Sequence, residues 1–231
     1  MRKKLIVVSG PSGVGKTPLL KALHVNYPHI VVRSPVLYLS RAPRPGERDG
    51  VDFHFRSEQD IRALPPERFL VGKGRVVWQA VDMEEVREIL ATASLVVTEI
   101  YPTLGRLLLS HPVVLEHARE FEVRTVLLSP LCPEELQGLR RAFGNEQEAV
   151  AAVMLQKLVG RSLQQGKVIT LAELDDLRAR ALKAHEELEM ARDYTDIIVN
   201  HDGEDSANWR FTPPVGDAGR TLRRFVDIIC E

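Results

Sequence analysis

Gly10-Pro11-Ser12-Gly13-Val14-Gly15-Lys16-Thr17 follows directly on the apolar run Leu5-Ile6-Val7-Val8. The pattern is G-x-x-x-x-G-K-[ST], and its spacing has a physical cause. Small residues let the backbone N–H groups of Gly10, Ser12, Gly13, Val14 and Gly15 turn inward and cradle phosphate oxygens. Lys16 adds a point charge toward the β- and γ-phosphates of a nucleotide such as ATP, and the Thr17 hydroxyl can ligate Mg²⁺. A buried-type strand precedes the loop. After it, Leu19, Leu20, Leu23 and His24 fall at helical spacing, so bound phosphates would meet a helix N-terminus. Pro18 is unusual beside Thr17, because it has no backbone N–H for the α-phosphate. One charge-assisted hydrogen bond, worth about 1.5–3 kcal/mol, is expected to be missing there.

Outward from this loop, strand-like runs recur at residues 5–8, 94–98, 124–128 and 196–199. Helical patterns lie at 18–25, 83–91, 133–142 and 171–192. Alternation of this kind implies an α/β fold whose parallel sheet is covered on both faces. Residues 31–81 read differently, with short strand candidates at 36–40, 51–55 and 75–79 between turns rich in Pro and Gly. They fit a small mixed or antiparallel subdomain. Thr170-Leu171-Ala172-Glu173 has the form of a capping box and marks a helix start. An acidic, Gly-containing run at 201–205 reads as the most mobile piece of the chain.

Composition sets bounds. The 231 residues carry a net charge of −1, which gives no global attraction to nucleic acid or an anionic membrane. Apolar runs such as Leu95-Val96-Val97 are far too short to span a bilayer. The basic start Met1-Arg2-Lys3-Lys4 runs straight into the phosphate loop, which makes a poor signal peptide. Cys132 and Cys230 provide neither a disulfide framework nor a zinc site, and His24, His54, His117 and His185 show no metal spacing. A cytoplasmic location is expected.

The second anchor is Arg41-Ala42-Pro43-Arg44-Pro45-Gly46-Glu47, followed by Asp49-Gly50-Val51-Asp52-Phe53-His54-Phe55. Two arginines on a proline-stiffened loop make a prearranged anion clamp, since each guanidinium can grip phosphate through two parallel N–H groups. Solvated surface arginines are the ordinary alternative.

Together the two motifs resemble guanylate kinases, whose acceptor loop reads T-T-R-x-P-R-x-G-E followed by G-x-D-Y-x-F. Phe69-Leu70 is similar to the start of that family's F-L-E segment. Residues 95–105 resemble its strand ending in an acidic turn, with Glu99 at the first acid. Residues 194–200 resemble its Y-D-Y-x-I-V-N strand beside the adenine site, which makes Asn200 a nucleotide-binding candidate. Counting back from Tyr194 without gaps puts Arg180 on the family's lid arginine. Arg140 and Arg141 stand at the lid entrance.

The departures from the family pattern are concentrated where the base would be read. The family's loop serine falls on Leu37, the glutamate of F-L-E on Val71, and the tyrosine of D-Y-x-F on Phe53. The Y-G-T turn has no clean equivalent around Trp78-Gln79-Ala80. Without polar groups matched to its edge, guanine should be read poorly. An extra helix is expected at 146–163, with an inward stripe of Val150, Val153, Met154, Lys157 and Leu158. It reads as an inserted packing or dimerisation helix, with Lys157 and Arg161 as alternative contributors to phosphate closure.

The resemblance implies one guanylate-kinase-like domain with three working segments. These are a core at 1–30, 82–132 and 193–231, an acceptor subdomain at 31–81 and a helical lid at 133–192. It further implies Mg-ATP on residues 10–17, with Lys16 on the transferring phosphate and Thr17 on the metal. The acceptor's anionic group would be held by Arg41 and Arg44, in a pocket lined by Leu37, Phe53, Val71 and Glu99. Arg180, with Arg140 or Arg141, would close over the developing charge. GMP or dGMP is the first acceptor. A different phosphorylated small molecule, and a non-catalytic binding module of the same fold, remain alternatives. The sequence does not fix an oligomeric state.

Overall fold

The computed structural model describes residues 2–44, 46–74 and 77–231. The first half of the chain holds β1 (Lys3–Ser9), α1 (Lys16–Asn26), β2 (Tyr38–Leu39), β3 (His54–Phe55), α2 (Glu58–Arg62), β4 (Phe69–Lys73), β5 (Trp78–Asp82), α3 (Met83–Thr92) and β6 (Leu95–Glu99). Then come α4 (Pro102–Ser110), α5 (Pro112–His117), β7 (Phe121–Ser129), α6 (Pro133–Phe143), α7 (Glu146–Gln164), α8 (Leu171–Leu182), α9 (Ala184–Glu189), β8 (Asp196–Val199) and α10 (Gly216–Cys230). One four-stranded parallel sheet has the order β6-β1-β7-β8, and a separate mixed sheet has the order β3-β2-β5-β4. This is the α/β class expected from the alternation of strands and helices.

β1 explains why its run is apolar throughout. Ile6 and Val8 are fully buried on one side of the pleat and Leu5 and Val7 nearly so on the other, as a strand covered on both faces requires. Each such side chain contributes about 1.5–3 kcal/mol of apolar burial.

The chain divides into two compact units. The first comprises residues 1–7 and 31–124. Its core packs Leu5 and Val7 of β1 with Met83, Val86, Ile89 and Leu90 of α3, Leu104 and Leu108 of α4, and Val113 and Val114 of α5. α3 begins at Asp82, whose carboxylate accepts from the Glu84 N–H. In the small sheet, β2 pairs parallel with β3 and antiparallel with β5, and β4 pairs antiparallel with β5.

The second unit comprises residues 8–30 and 125–231. Within it β8 lies parallel to β7, with Val126 opposite Asp196 and Leu128 opposite Ile198. A cluster of Leu131, Val150, Met154, Leu158, Leu177, Ala181 and Ala184 ties α7, α8 and α9 together. α10 buries Ala218, Leu222, Phe225 and Ile229, a helical stripe on an otherwise charged helix.

Several expectations are modified. The single helix expected at 171–192 is α8, α9 and a 3₁₀ turn at Met190–Asp193, and the interruption at Lys183 carries no Gly or Pro to announce it. Thr170 and Glu173 do form the capping box. Arg75 and Val76, from the strand expected at 75–79, lie outside the described residues, and β5 begins at Trp78. The 201–205 run is held by hydrogen bonds to the phosphate loop and to α7, because its polar groups find partners there. Among the described residues no helix is long and apolar enough to cross a membrane.

Candidate active site

The loop between β1 and α1 has the backbone that its glycines permit. Gly10, Gly13 and Gly15 have φ of +140°, +86° and +101°, values that L side chains avoid. Space also forbids substitution: a Cβ on Gly10 would lie 2.4 Å from the Leu128 carbonyl oxygen, and one on Gly15 2.6 Å from Asn200 Nδ2. Gly15 caps α1, so the helix begins at Lys16 and its positive N-terminal end faces the loop. Pro18 falls in that first turn, where a missing N–H costs the helix nothing.

Three side chains fix this loop. The Lys16 ammonium donates to the carbonyls of Gly10 (2.7 Å) and Pro11 (3.1 Å), arching over its own loop. Arg180 of α8 donates through Nη2 to Ser12 Oγ at 2.8 Å, with Asp176 3.5 Å from its other terminal nitrogen. The structure thus brings the expected lid arginine to the phosphate loop. Asn200, expected to contact the nucleotide, is fully buried just after β8. Its Nδ2 donates to the carbonyls of Val14 and Asp202, both at 2.7 Å. Asn200 thus braces the loop backbone.

In the other unit, Arg41 is held more firmly than a solvated arginine. Nη1 and Nη2 donate to Glu47 Oε2 and Oε1 at 2.6 and 2.8 Å, and Nη1 also reaches the Ala42 carbonyl at 3.0 Å. The guanidinium lies over the rings of Phe53 and Phe55, 5.5 and 5.4 Å from their centroids. Glu47 also accepts from the Arg44 backbone N–H at 2.8 Å, so one carboxylate sets both arginines of the loop. Burial alone would raise the Glu47 pKa, but the hydrogen bonds from Arg41 and Arg44 and the charge of both hold it below the usual range. Of Arg41's five N–H groups, Glu47 and Ala42 take three. Among the described residues the Nε edge makes no hydrogen bond, and it is the edge that could meet a second oxyanion. Glu47 belongs to the quoted motif, yet its organising role was not read from the sequence.

The remaining candidates are spread over both units. Leu37 is 3% exposed and belongs to the first unit's core, while Val71 is half-buried on β4 opposite Ala80. Glu99 ends β6, half-buried. Arg140 pairs with Glu146, and Arg141 is exposed on α6. Lys157 and Arg161, weighed as phosphate-closing residues, turn instead to the 201–205 segment. Among the described residues no three His, Cys, Asp or Glu side chains cluster as a metal cage. Mg²⁺ in nucleotide sites takes most of its oxygens from phosphate and water, so the Thr17 hydroxyl, a hard donor at the start of α1, fits that role.

The chain is similar to known proteins over most of its length. Residues 2–181 match the family model described as Guanylate kinase. A guanylate kinase of Schizosaccharomyces pombe is 28% identical over 195 residues, covering 82% of this chain and 90% of its own. One from Frankia casuarinae is 29% identical over 213 residues, covering 88% and 92%. Among solved structures, guanylate kinase from Anaplasma phagocytophilum superposes with a TM-score of 0.54 at 19% identity, over 99% of this chain and 85% of that one, a likeness of fold.

Proposed function

Since the chain belongs to the guanylate kinase family, we propose that it carries the γ-phosphate of ATP to GMP with the residues described above. It is a nucleoside monophosphate kinase, and neither a different phosphorylated acceptor nor a non-catalytic binding role is favoured. The observation that carries the assignment of the donor site is the glycine backbone of 10–15, where added side chains would collide with β7 and Asn200. ATP phosphates lie on backbone N–H groups within residues 12–17, and Lys16 exchanges its loop carbonyls for the β- and γ-phosphate oxygens. Thr17 would hold Mg²⁺, which when bound would supply charge neutralisation.

Arg41 grips the acceptor phosphate with the Nε edge that Glu47 leaves open, and Arg44 adds a second charge. Arg180 passes from Ser12 to the transferring phosphoryl group, where negative charge spreads during transfer. Glu99, at the end of β6, would orient the acceptor or the water shell of the metal. Leu37, Phe53 and Val71 line the acceptor pocket, with Arg140 and Arg141 at the lid entrance. The chain then works as a core at 1–30, 82–132 and 193–231, an acceptor segment at 31–81 and a lid at 133–192. A cytoplasmic location suits these substrates.

ADP release, coupled to an indicator reaction and measured with each nucleoside monophosphate, tests this reading. GMP-dependent turnover is expected, with loss of about 10²–10³-fold in Lys16→Ala and in Arg41→Ala. Undiminished turnover in either variant would overturn the assigned roles.

A further inference from the structure

We infer that Arg161 of α7 is a positioning residue for the phosphate loop, acting through Glu204. This rests on the reading of residues 10–17 as the ATP site. One stripe of α7 holds the segment that follows Asn200. Lys157 donates to the His201 carbonyl, Arg161 Nη1 pairs with Glu204 Oε2 at 2.8 Å, and Gln164 donates to the Asp205 carbonyl. Gly160, on the same face, leaves room for Asp205, whose Oδ2 would lie 2.7 Å from a Cβ there. These four residues stand at i, i+3, i+4 and i+7, a single helical face.

The held segment in turn holds the loop. The Glu204 backbone N–H donates to the Gly13 carbonyl at 2.8 Å, next to the Asn200 bond to Val14. Leu158, one turn before Arg161, lies 3.1 Å from the point where Gly13 would carry a Cβ. With the carbonyls of Gly13 and Val14 bound, the two peptide planes that carry the Val14 and Gly15 N–H groups are held: the Val14 N–H donates to the Pro11 carbonyl at 3.2 Å, closing the loop's turn, and the Gly15 N–H is set for a phosphate. The ion pair is well shielded: the Arg161 and Glu204 side chains are 6% and 17% exposed, and Arg161 Nε has no partner among the described residues. Losing Glu204 would leave a buried guanidinium uncompensated, and losing Arg161 would free the segment that sets Gly13.

The full chain as Arg161→Met, Arg161→Lys and Glu204→Gln is compared with the parent in steady-state kinetics, each substrate varied in turn, with thermal unfolding alongside. Met keeps the packing of Arg161 and removes its charge, whereas Lys keeps the charge. Arg161→Met is expected to raise the KM for ATP about 10- to 100-fold, the cost typical of misplaced binding groups. The KM for GMP should change less than about twofold, Arg161→Lys should recover most of the ATP effect, and Glu204→Gln should raise the ATP KM to a smaller degree. If Arg161→Met does not fold, Glu204→Gln decides. An unchanged ATP KM in that variant, or both KM values rising together with a fall in melting temperature, overturns the inference. A parent enzyme that makes no ADP with GMP contradicts the proposed function instead, while an active parent with indifferent variants contradicts the positioning role alone.

Discussion

Replacing Glu47 by glutamine removes the charge that organises the loop proposed to hold the acceptor, while keeping the side chain's size. The carboxylate accepts two hydrogen bonds from Arg41, at 2.6 and 2.8 Å, and one from the Arg44 backbone at 2.8 Å. An amide can keep the backbone bond through its oxygen, but its NH₂ group then faces the guanidinium, donor against donor. Breaking a buried pair costs about 3–5 kcal/mol, and Arg41 at 19% exposure retains some water, so about 2–3 kcal/mol is expected. For a chain of this size that corresponds to a melting temperature lower by roughly 4–12 °C. The functional effect should be confined to one substrate. With its terminal edge no longer fixed, Arg41 presents its Nε edge in several orientations, and the KM for GMP rises about 10- to 100-fold while that for ATP changes less than about twofold. pH gives an internal check. The Glu47 carboxyl titrates below its ordinary 4.5, so its contribution is complete above that value and is lost as pH falls through the lowered one. The parent should lose this stability in acid, and Glu47→Gln should show no such component. A folded variant with an unchanged KM for GMP would refute the clamp reasoning, and an unchanged melting temperature would refute the burial argument.

Three other outcomes are expected. Pro18→Ser restores an N–H in the first turn of α1 and should lower the Kd for ATP about tenfold by titration calorimetry, and an equal or weaker Kd contradicts the missing-bond reading. His201 lies 2.6 Å from Asp217 and 2.9 Å from Glu135; burial alone would lower its pKa, but these carboxylates raise it. Its stabilising contribution is therefore complete below pH 6.5 and lost as pH rises through the raised value, so the melting temperature should fall across that window in the parent and stay flatter in His201→Gln. Leu37 and Val71 carry no polar side-chain atom for a base edge, so kcat/KM for GMP should exceed that for AMP by about 10- to 200-fold, and a ratio near 10⁴ would point to readers not identified here.

What the sequence disclosed tracks how local each cause is. The phosphate loop is legible because glycine spacing, the preceding strand and the following helix all lie within residues 5–25. α7 is legible from its period, with Val150, Met154 and Leu158 all buried. β4 was missed because it lies at the end of its sheet and Gly72 interrupts its apolar run, where a Cβ would come 3.2 Å from Leu104. α4 was hidden for a similar reason: Gly105 looks like a breaker, but its bare backbone lets the helix approach Ile100 and Val7. The 201–205 segment misled most, since acidic residues and a glycine ordinarily mark a solvated loop. Its partners Gly13, Lys157 and Arg161 are distant in sequence, and only the fold brings them together. The organising role of Glu47 has the same origin, because a carboxylate next to two arginines does not reveal which edge of each it occupies.

The most direct measurement follows the label. ATP carrying labelled γ-phosphate is incubated with the protein and GMP, and the products are separated. The account places the label on the β-position of GDP, and the transfer disappears in Lys16→Ala. Label found only in inorganic phosphate, or transferred at the parent rate by Lys16→Ala, would contradict it.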